Sequence, residues 1–446
     1  MTGPAPLWPA QRSVRELLTE LYTVAVSAVN PGPAVAQRLL RLDPSPGRRW
    51  VLALGKAAGP MARAAVETLA SWGQEPAGGV IVGPEADPPA HGSLPVVRGD
   101  HPEPGAGSLA AADALGRAAA RISGEDEVWV LLSGGASSLL AAPVAGLSAV
   151  ELTALYRLLL GSGLDITAMN RIRKRFSRWG AGRLAAALAP ARVRVFIVSD
   201  VIGDDLASIA SGPCVPDPST AADVRRLLEK AGLWERIPEA ARRLVLATES
   251  GQTAETPKPG HQAFARVTLE LIASNRLALE AAARRAAELG LATDLAETPL
   301  AGEAWATGAS VAAVLVQHCG RRDIPQPAAP SRCFIWGGET TVTLGDAPPG
   351  LGGRCQELAL AAARTLDGLR PGMALLAAGT DGRDGPTDAA GAIVDGETWR
   401  AAAAAGRDPA RDLAAHDAYR SLDAAGALLK VGLTGTNVMD VVIGIG

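Results

Sequence analysis

The sequence contains few of the residues that build metal sites and disulfide frameworks. Its 446 residues include four cysteines and five histidines. The cysteines show no CxxC spacing and the histidines form no HxxxH pair. Zinc sites and disulfide frameworks depend on such closely spaced ligands or on many paired cysteines. The sequence therefore argues against both, and it fits a reducing compartment.

Long apolar runs and a strong excess of one charge are also missing. No uncharged apolar stretch approaches the ~20 residues that cross a bilayer. The opening MTGPAPLWPAQRSVREL lacks the basic segment and the apolar segment of a secretory signal. Lysine and arginine together number 43, against 46 acidic residues, and no basic block occurs. We therefore expect a cytoplasmic protein that binds neither membranes nor nucleic acid.

Lysine is scarce, with five residues against 38 arginines. One of the five, Lys56, follows the apolar run WVLALG and precedes the small residues AAG. A solvated lysine at the end of a strand explains this placement as well as a functional lysine does, so the spacing alone leaves both interpretations open.

The chain does contain apolar runs that alternate with alanine-rich helical patterns. Apolar residues make up 48% and charged residues 20%, as in a globular protein. The runs are apolar throughout, which is typical of parallel strands covered on both faces. The first half predicts strands at 50–55, 78–83, 94–100, 127–135 and 193–200, and helices at 59–72, 107–121, 148–162 and 169–189.

A polar stretch with proline and glycine, residues 248–266, interrupts this rhythm. We therefore predict two α/β domains, one at 1–250 and one at 251–446. The second predicts strands at 267–274, 292–297, 332–338 and 373–379, and helices at 275–289, 302–318 and 355–366.

Polar and glycine residues follow many of the predicted strands. In open α/β sheets, ligands bind beyond the carboxyl ends of the strands. Those ends carry Gly55-Lys56, Gly99-Asp100-His101, Ser133-Gly134-Gly135, Ser199-Asp200, Gly337-Gly338-Glu339 and Gly379-Thr380-Asp381. This repeated pattern indicates binding sites more specifically than any one motif does.

The stretch LLSGGASSLL, residues 131–140, is a strand, a turn of small residues and the start of a helix. Amides at a helix N-terminus bind anions, and the hydroxyls of Ser133, Ser137 and Ser138 could add to such a site. An ordinary β–α turn with a serine N-cap explains the stretch equally well. A serine hydrolase is not supported, because the GxSxG elbow is absent.

Aspartates mark two further stretches. In VSDVIGDD (198–205), Asp200 ends a strand and could bind Mg²⁺ or accept a hydroxyl proton. The neighbouring Asp204 and Asp205 fit the acidic first turn of a helix. In AAGTDGRDGPTDAAGA (377–392), three aspartates in a glycine-rich segment could form a cation loop or an ordinary turn, namely Asp381, Asp384 and Asp388.

A glycine-rich loop with Gly350, Gly352 and Gly353 precedes Arg354 and a predicted helix. An arginine there adds a forked cation to the helix amides, which suits carboxylate or phosphate oxygens. A solvent-facing arginine after a glycine hairpin explains the same pattern.

Two common nucleotide fingerprints are absent or poorly placed. No GxxxxGK[ST] occurs. GAGSLA (105–110) matches GxGxx[GA], but Pro102 and Pro104 separate it from the preceding strand, and no acidic residue closes the next strand.

Taken together, the motifs resemble the glycerate 2-kinase family with its C-terminal MOFRL domain. The matching segments span roughly residues 10 to 443 in the same order. They are LALGKAAGPM, GDHPEPGAGS, LLSGGASSLL, SDVIGDDLASIASGPCVPDPST, GGETTVTL, GGRCQELALAAA, AGTDGRDGPTDAAGA and GLTGTNVMD.

The resemblance implies ATP-dependent, Mg²⁺-assisted phosphorylation of D-glycerate to 2-phosphoglycerate. It also implies an N-terminal Rossmann-like domain with a mostly parallel sheet, a smaller C-terminal MOFRL α/β domain and an active site in the cleft between them. Lys56 and Arg354 match the family's catalytic residues, and Asp200 lies in the same cleft. The segments Ser133–Ser138 and Gly337–Glu339 would bind substrate or phosphate.

Asp381 would face the nucleotide or the metal, so that Asp200 and Asp381 are the metal candidates. The sequence leaves a homodimer as an option.

Three positions depart from the family pattern. Arg175 replaces a usual histidine, Cys355 a usual asparagine, and Met439 another asparagine. These departures leave open a kinase for another small 2-hydroxy acid. The residues also remain compatible with an NAD(P)-dependent hydroxypyruvate reductase and with a non-catalytic binding protein.

Overall fold

The computed structural model describes residues 13–44, 47–84, 94–101, 103–319, 332–345, 348–369 and 372–446. The predicted absence of a secretory signal falls largely on residues 1–12, and these lie outside the described residues, as does Pro102. The chain divides into two compact units. The continuous unit is Pro31–Ile272, and the composite unit joins the residues up to Asn30 with Ala273–Gly446.

Helix α1 (Val14–Ala28) belongs to the composite unit, and the elements of the continuous unit follow it along the chain. The helices of the continuous unit are α2 (Pro31–Leu39), α3 (Ala58–Ser71), α4 (Ala106–Ala119), α5 (Ala136–Leu139), α6 (Ala149–Leu160), α7 (Ile166–Phe176), α8 (Arg183–Leu188), α9 (Ala221–Lys230) and α10 (Glu239–Glu249). Its strands are β1 (Arg49–Leu54), β2 (Gly78–Gly83), β3 (Val96–Arg98), β4 (Glu127–Leu132), β5 (Arg192–Val198) and β6 (Val267–Ala273).

The sheet of the continuous unit has the order β3-β2-β1-β4-β5-β6, and β1 to β5 pair in parallel. This is the Rossmann strand order, which confirms the predicted Rossmann-like parallel sheet. The order reverses between β1 and β4, and such a switch point is where open α/β sheets bind ligands. All six residues of β1 are buried, as expected for a strand covered on both faces.

The composite unit contains the remaining elements. Its helices are α1, α11 (Asn275–Glu288), α12 (Ala304–Cys319), α13 (Arg354–Leu366), α14 (Thr398–Ala404), α15 (Pro409–Ala414) and α16 (Ala418–Ala424). Its strands are β7 (Ala292–Leu295), β8 (Arg332–Gly338), β9 (Ala374–Gly379), β10 (Gly391–Asp395), β11 (Leu428–Leu429) and β12 (Asp440–Ile445).

The second sheet has the order β11-β10-β9-β12-β8-β7. Strand β12 is antiparallel to both β8 and β9, so that its first residue, Asp440, pairs with Gly338 on one side and with Gly379 on the other. The amino end of β12 therefore lies between the carboxyl ends of β8 and β9. The sequence analysis predicted β8 and β9 but not β12.

The observed division differs from the predicted domains 1–250 and 251–446. The polar stretch 248–266 lies inside the continuous unit, where Glu255 pairs with buried Arg175 at 2.8 Å and accepts the Ala221 amide at 2.7 Å. The strand that follows, β6, completes the first sheet instead of opening the second. At the other end, the Tyr22 hydroxyl of α1 donates to the Gly379 carbonyl at 2.7 Å, which fastens α1 to the second sheet.

The predicted helix 169–189 is interrupted, and the structure has α7 and α8 in its place. Ala181 and Gly182 both have positive φ, at 54° and 78°. A Cβ on Gly182 would lie 2.9 Å from the Val215 carbonyl oxygen and 2.7 Å from the Phe264 ring. The chain turns here because glycine permits both that φ and the close approach.

Candidate functional site

At the switch point of the first sheet, Lys56 follows β1 and lies against the turn after β4. The Lys56 amide donates to the Gly134 carbonyl at 2.9 Å, and the Ala57 amide donates to the Ser133 hydroxyl at 3.0 Å. Gly55, at φ 124°, allows this contact, because a Cβ there would lie 2.3 Å from Ser133 Oγ. The Lys56 side chain is exposed, and its ammonium makes no ion pair or hydrogen bond with the described residues.

Two glycines form the floor of this site. A Cβ on Gly134 would lie 1.9 Å from Asp200 Oδ2. A Cβ on Gly135, at φ 81°, would lie 3.0 Å from Lys56 Cγ and 3.3 Å from His101 Cδ2. The carboxyl ends of three strands thus bring an ammonium, a carboxyl and an imidazole together over Gly134 and Gly135. We call Lys56, His101, Asp200 and these two glycines the switch-point cluster.

The electrostatics of the switch-point cluster follow from burial and from the charge of Lys56. Burial raises the pKa of the Asp200 carboxyl, and the nearby Lys56 charge limits the rise. Burial and the same charge lower the pKa of His101. The imidazole is therefore neutral at pH 7, while Asp200 is a stronger base than an exposed aspartate.

The three serines of the turn have different surroundings. Ser133 is buried, and its hydroxyl is occupied by the Ala57 amide, so its part is structural. The Ser137 hydroxyl lies 2.8 Å from that of Ser211, and Ser138 is partly exposed. Helix α5 has only four residues, so its dipole offers an anion far less than the dipole of a long helix would.

In the composite unit, Arg354 is the first residue of α13 and is held by two carboxylates. Its Nε and Nη2 donate to the two oxygens of Asp440 at 2.6 and 2.9 Å, and Nη1 lies 2.7 Å from Glu339 Oε1. Burial lowers the pKa of the Arg354 guanidinium, but the bonds to Asp440 outweigh burial and leave the pKa above its usual value. These contacts use three of the five guanidinium N–H groups and leave two for a ligand.

Asp440 is a candidate site residue of this unit that the sequence patterns did not single out. It is 4% exposed, and the Asn275 amide group fixes its backbone by donating to the Asp440 carbonyl at 2.9 Å. Gly337 is needed for this arrangement, because a Cβ there would lie 2.0 Å from Asn275 Oδ1. The motif GLTGTNVMD ends in Asp440, and this was the signal that could have found it. We call Arg354, Glu339, Asp381 and Asp440 the arginine cluster.

The aspartates at 381, 384 and 388 do not form one cation loop. Asp384 is buried and accepts the amides of Cys355 and Gln356 at 3.2 and 2.8 Å, so it caps α13. Asp388 accepts the Tyr419 hydroxyl at 2.7 Å and pairs with Lys430 at 3.2 Å. Asp381 belongs to the arginine cluster, since a Cβ on Gly379 would lie 3.1 Å from its Oδ1 and 3.6 Å from Asp440 Oδ1. Burial raises the pKa of Asp381.

The glycine-rich loop before Arg354 is held in place by backbone hydrogen bonds. The Gly350 amide donates to the Ala415 carbonyl at 2.9 Å, and the Leu351 amide donates to Asp417 at 2.7 Å. A Cβ on Gly353 would lie 2.4 Å from the Asp384 carboxyl. The glycines therefore allow close packing, which fixes where α13 begins.

The three departures from the family pattern are all buried. Arg175 is committed to Glu255, whose pKa is lowered to about 2 because the bonds to Arg175 and Ala221 and the Arg175 charge outweigh burial. Cys355 is 1% exposed beside Asp440, and Met439 is 4% exposed with φ 69°. These contacts are structural, and they give no support to a shifted substrate.

The fingerprint GAGSLA at 105–110 opens α4, but its amides are already occupied. Asp100 Oδ2 accepts the amides of Gly107 and Ser108 at 2.7 and 3.2 Å. A dinucleotide pyrophosphate would need such amides at the helix N-terminus. This geometry argues against a dinucleotide site there.

The carboxylates of the arginine cluster supply hard oxygen donors, which Mg²⁺ prefers, and Asp200 separately offers one such donor in the continuous unit. Within the described ranges, no three acidic, histidine or cysteine side chains are grouped to hold a metal ion. Mg²⁺ commonly binds through one or two carboxylates together with substrate phosphates, so the donor set fits a cation that arrives with a nucleotide.

None of the described helices has the length and apolar character of a membrane span.

Comparisons with known proteins agree with this geometry. A profile described as a domain of unknown function, DUF4147, matches residues 17–246, and the MOFRL family matches residues 332–440. The D-glycerate 2-kinase of Thermotoga maritima is 38% identical over 97% of this chain and 98% of its own. A glycerate 2-kinase of Pyrococcus horikoshii is 37% identical over 97% of both chains.

A relative from Agrobacterium vitis, 37% identical over 96% of this chain and 94% of its own, carries a provisional hydroxypyruvate reductase name. The crystal structure of the Thermotoga maritima glycerate kinase superposes with a TM-score of 0.85 at 37% identity, covering 97% of this chain and 99% of that one. Identity, coverage and fold agree: the chain belongs to the glycerate kinase family.

Proposed function

We propose that this protein is an ATP-dependent kinase that phosphorylates the 2-hydroxyl of D-glycerate, giving 2-phosphoglycerate and ADP. The switch-point cluster carries the proposal. Lys56 places an ammonium that has no partner among the described residues near the half-buried carboxyl of Asp200, over the two glycines Gly134 and Gly135. Phosphoryl transfer needs little covalent help from a protein and depends on positioning and on charge stabilisation, which this arrangement supplies.

In the proposed reaction, the 2-hydroxyl oxygen of glycerate bonds to the γ-phosphorus of ATP while the bond from that phosphorus to the bridging oxygen breaks. The hydroxyl proton passes to the Asp200 carboxylate, whose raised pKa favours acceptance. Lys56 stabilises the charge on the transferring group as a compact ammonium. The electron pair of the broken bond leaves with ADP.

Arg354 is assigned to the phosphate charge through its two remaining N–H groups. Asp440 and Glu339 hold the guanidinium in one orientation, so little freedom is lost when a phosphate binds. Asp381 would hold Mg²⁺ together with nucleotide phosphates, and the ion would neutralise phosphate charge. Gly337 and Gly338 serve mainly to let the backbone pack, and any contact with substrate comes from the neighbouring Glu339.

The test is the identity of the product. The purified protein is incubated with Mg-ATP and D-glycerate and coupled to enolase and pyruvate kinase, with no phosphoglycerate mutase. Formation of pyruvate at a rate proportional to the added protein supports the proposal, because enolase consumes only the 2-phosphate.

Silence in that assay contradicts the proposal. Consumption of NAD(P)H on adding hydroxypyruvate would then favour the reductase. Release of ADP with another 2-hydroxy acid would favour a kinase of different specificity.

A further inference from the structure

His101 belongs to the switch-point cluster, yet the proposed mechanism gives it no task. Its imidazole is exposed, and no described residue forms a hydrogen bond with it. It follows β3, so its backbone arrives at the same sheet edge as Lys56 and Asp200. A polar ring without a partner at such an edge is free to bind a ligand.

The backbone that carries His101 is fixed from two directions. Gly99 lies against α5 so closely that a Cβ would be 2.3 Å from the Leu139 carbonyl oxygen. Asp100 caps α4 through the amides of Gly107 and Ser108. The ring therefore reaches the cluster from a rigid anchor, as a precise binding contact requires.

Gly135 connects His101 with Lys56. The position that a Cβ of Gly135 would occupy lies 3.1 Å from Lys56 Cε and 3.3 Å from His101 Cδ2. A small ligand over this glycine would touch both side chains. The Lys56 charge and burial keep the ring neutral, so it can donate one hydrogen bond and accept another.

The charge of Lys56 alone does not determine which hydroxyl of D-glycerate is phosphorylated. It has hydroxyls on adjacent carbons, C2 and C3, and both can reach an ammonium. A neutral hydrogen-bonding group can hold one hydroxyl and leave the other toward the phosphate. A site that hydrogen-bonds one substrate hydroxyl favours the orientation that makes this bond, because the bond is lost when the hydroxyl lies elsewhere.

We propose that His101 contacts the substrate, hydrogen-bonds the 3-hydroxyl of the acid and thereby directs the 2-hydroxyl toward the transferred phosphate. The inference rests on the proposed kinase activity. It makes His101 a determinant of which hydroxyl is phosphorylated.

The test compares His101→Phe and His101→Asn with the matched control His318→Asn, an exposed histidine of the composite unit. We expect His101→Phe to raise KM for D-glycerate ~10-fold or more and to leave KM for ATP within about twofold, because one substrate hydrogen bond is lost. His101→Asn should recover part of the loss, since its amide group also donates and accepts. His318→Asn should match the wild type.

The product provides a second measurement that a merely structural role would not change. Adding phosphoglycerate mutase to the coupled assay makes any 3-phosphoglycerate visible. We expect the mutase to leave the rate of pyruvate formation unchanged for the wild type and to raise it at least about twofold for His101→Phe. Without the hydrogen bond to the 3-hydroxyl, the variant holds the substrate in more than one orientation. An unchanged KM for D-glycerate without a mutase effect would overturn the inference, and so would a rise in KM for ATP alone.

Histidine ring resonances separate this inference from the proposed function. The chain has five histidines, and His101→Asn identifies the signal of His101 by its loss. D-glycerate added without ATP should shift that signal in the wild type. If it does not, the inference fails even when the enzyme turns over. If the wild type makes no 2-phosphoglycerate, the proposed function fails, and a shifted signal still supports the contact.

Discussion

The two candidate clusters differ in how they hold their cations. In the switch-point cluster, Lys56 makes no ion pair or hydrogen bond with the described residues, and glycines provide the space around it. In the arginine cluster, Arg354 is bound by Asp440 and Glu339 before any ligand arrives. Lysine is a mobile point charge that a reacting group can attract, whereas a bidentate pair holds a guanidinium in one plane.

The directions of the strands in the two sheets explain this difference. Parallel strands deliver their carboxyl ends to one edge, so a cluster forms there without long side-chain networks. In the mixed second sheet, the amino end of β12 lies between the carboxyl ends of β8 and β9. This places the acidic Asp440 against Arg354. The position of Lys56 should therefore not depend on an ion-pair partner, whereas that of Arg354 should depend on its pair with Asp440.

The largest effect should come from Lys56→Gln. We expect kcat to fall by about 10³-fold or more, because a charge-stabilising group of phosphoryl transfer is lost. The matched control is Lys230→Gln, an exposed lysine at the end of α9, which should keep wild-type kcat. Equal turnover of the two variants in the coupled assay would remove Lys56 from the mechanism.

Asp440→Asn should have the next largest effect. We expect kcat to fall by about 10²-fold, because a misplaced guanidinium stabilises phosphate charge poorly. Asp388→Asn serves as the control, since its partners are Tyr419 and Lys430. If Asp440→Asn lowers only the thermal stability and leaves kcat unchanged, then the pair is structural and the contrast between the clusters is lost.

Asp384 predicts how stability depends on pH near the arginine cluster. Burial raises its pKa from the ordinary 3.8 to about 7, although the amides of α13 oppose the shift. A carboxyl with a raised pKa in the folded state stabilises it below the unfolded pKa, and this contribution is lost as pH rises through the folded pKa. Between pH 4 and 7, we expect this group to lower the free energy of unfolding by up to about 1.4 kcal/mol per pH unit.

Asp384→Asn should flatten the dependence, as measured by urea denaturation across that pH range. Asp294→Asn, an aspartate with a 55% exposed side chain, should leave the wild-type slope. If Asp384→Asn leaves the slope of the unfolding free energy unchanged, the Asp384 carboxyl does not titrate within this pH range.

The smallest effect concerns backbone strain beside the switch-point cluster. Ala210 has φ 52°, which costs an L-residue ~1–2 kcal/mol. Ala210→Gly removes this cost but adds freedom to the unfolded chain, for a net stabilisation of about 0.5 kcal/mol. Ala186→Gly inside α8 should instead destabilise by about 1 kcal/mol. Denaturant midpoints measure both, and a loss of stability in Ala210→Gly would contradict the account.

Much of the first sheet could be predicted from the sequence, because its strands are short apolar runs with helices between them. The strands β1, β2, β4 and β5 lie within two residues of their predicted starts. The predicted strand ends also located Lys56 and Asp200 correctly at one edge. Here each local pattern and the overall topology agree, so reading the chain in order was sufficient.

The arginine cluster could not be predicted in the same way. Arg354 and Asp440 are 86 residues apart, and nothing in either local stretch identifies the other as its partner. Asp384 looked like a cation ligand because its tertiary role, capping α13, depends on a contact 28 residues away. The polar stretch 248–266 suggested a domain boundary near residue 250, because composition does not reveal the ion pair between Glu255 and Arg175.

We expect the γ-phosphate of ATP to be transferred to the 2-hydroxyl of D-glycerate. Proton-coupled ³¹P spectroscopy of the reaction with Mg-ATP tests it most directly, because the number of protons on the esterified carbon sets the splitting. The account predicts a doublet from phosphate on the single-proton C2, appearing as the γ-phosphate signal of ATP disappears. A triplet from phosphate on C3, or ATP that stays intact, would contradict it.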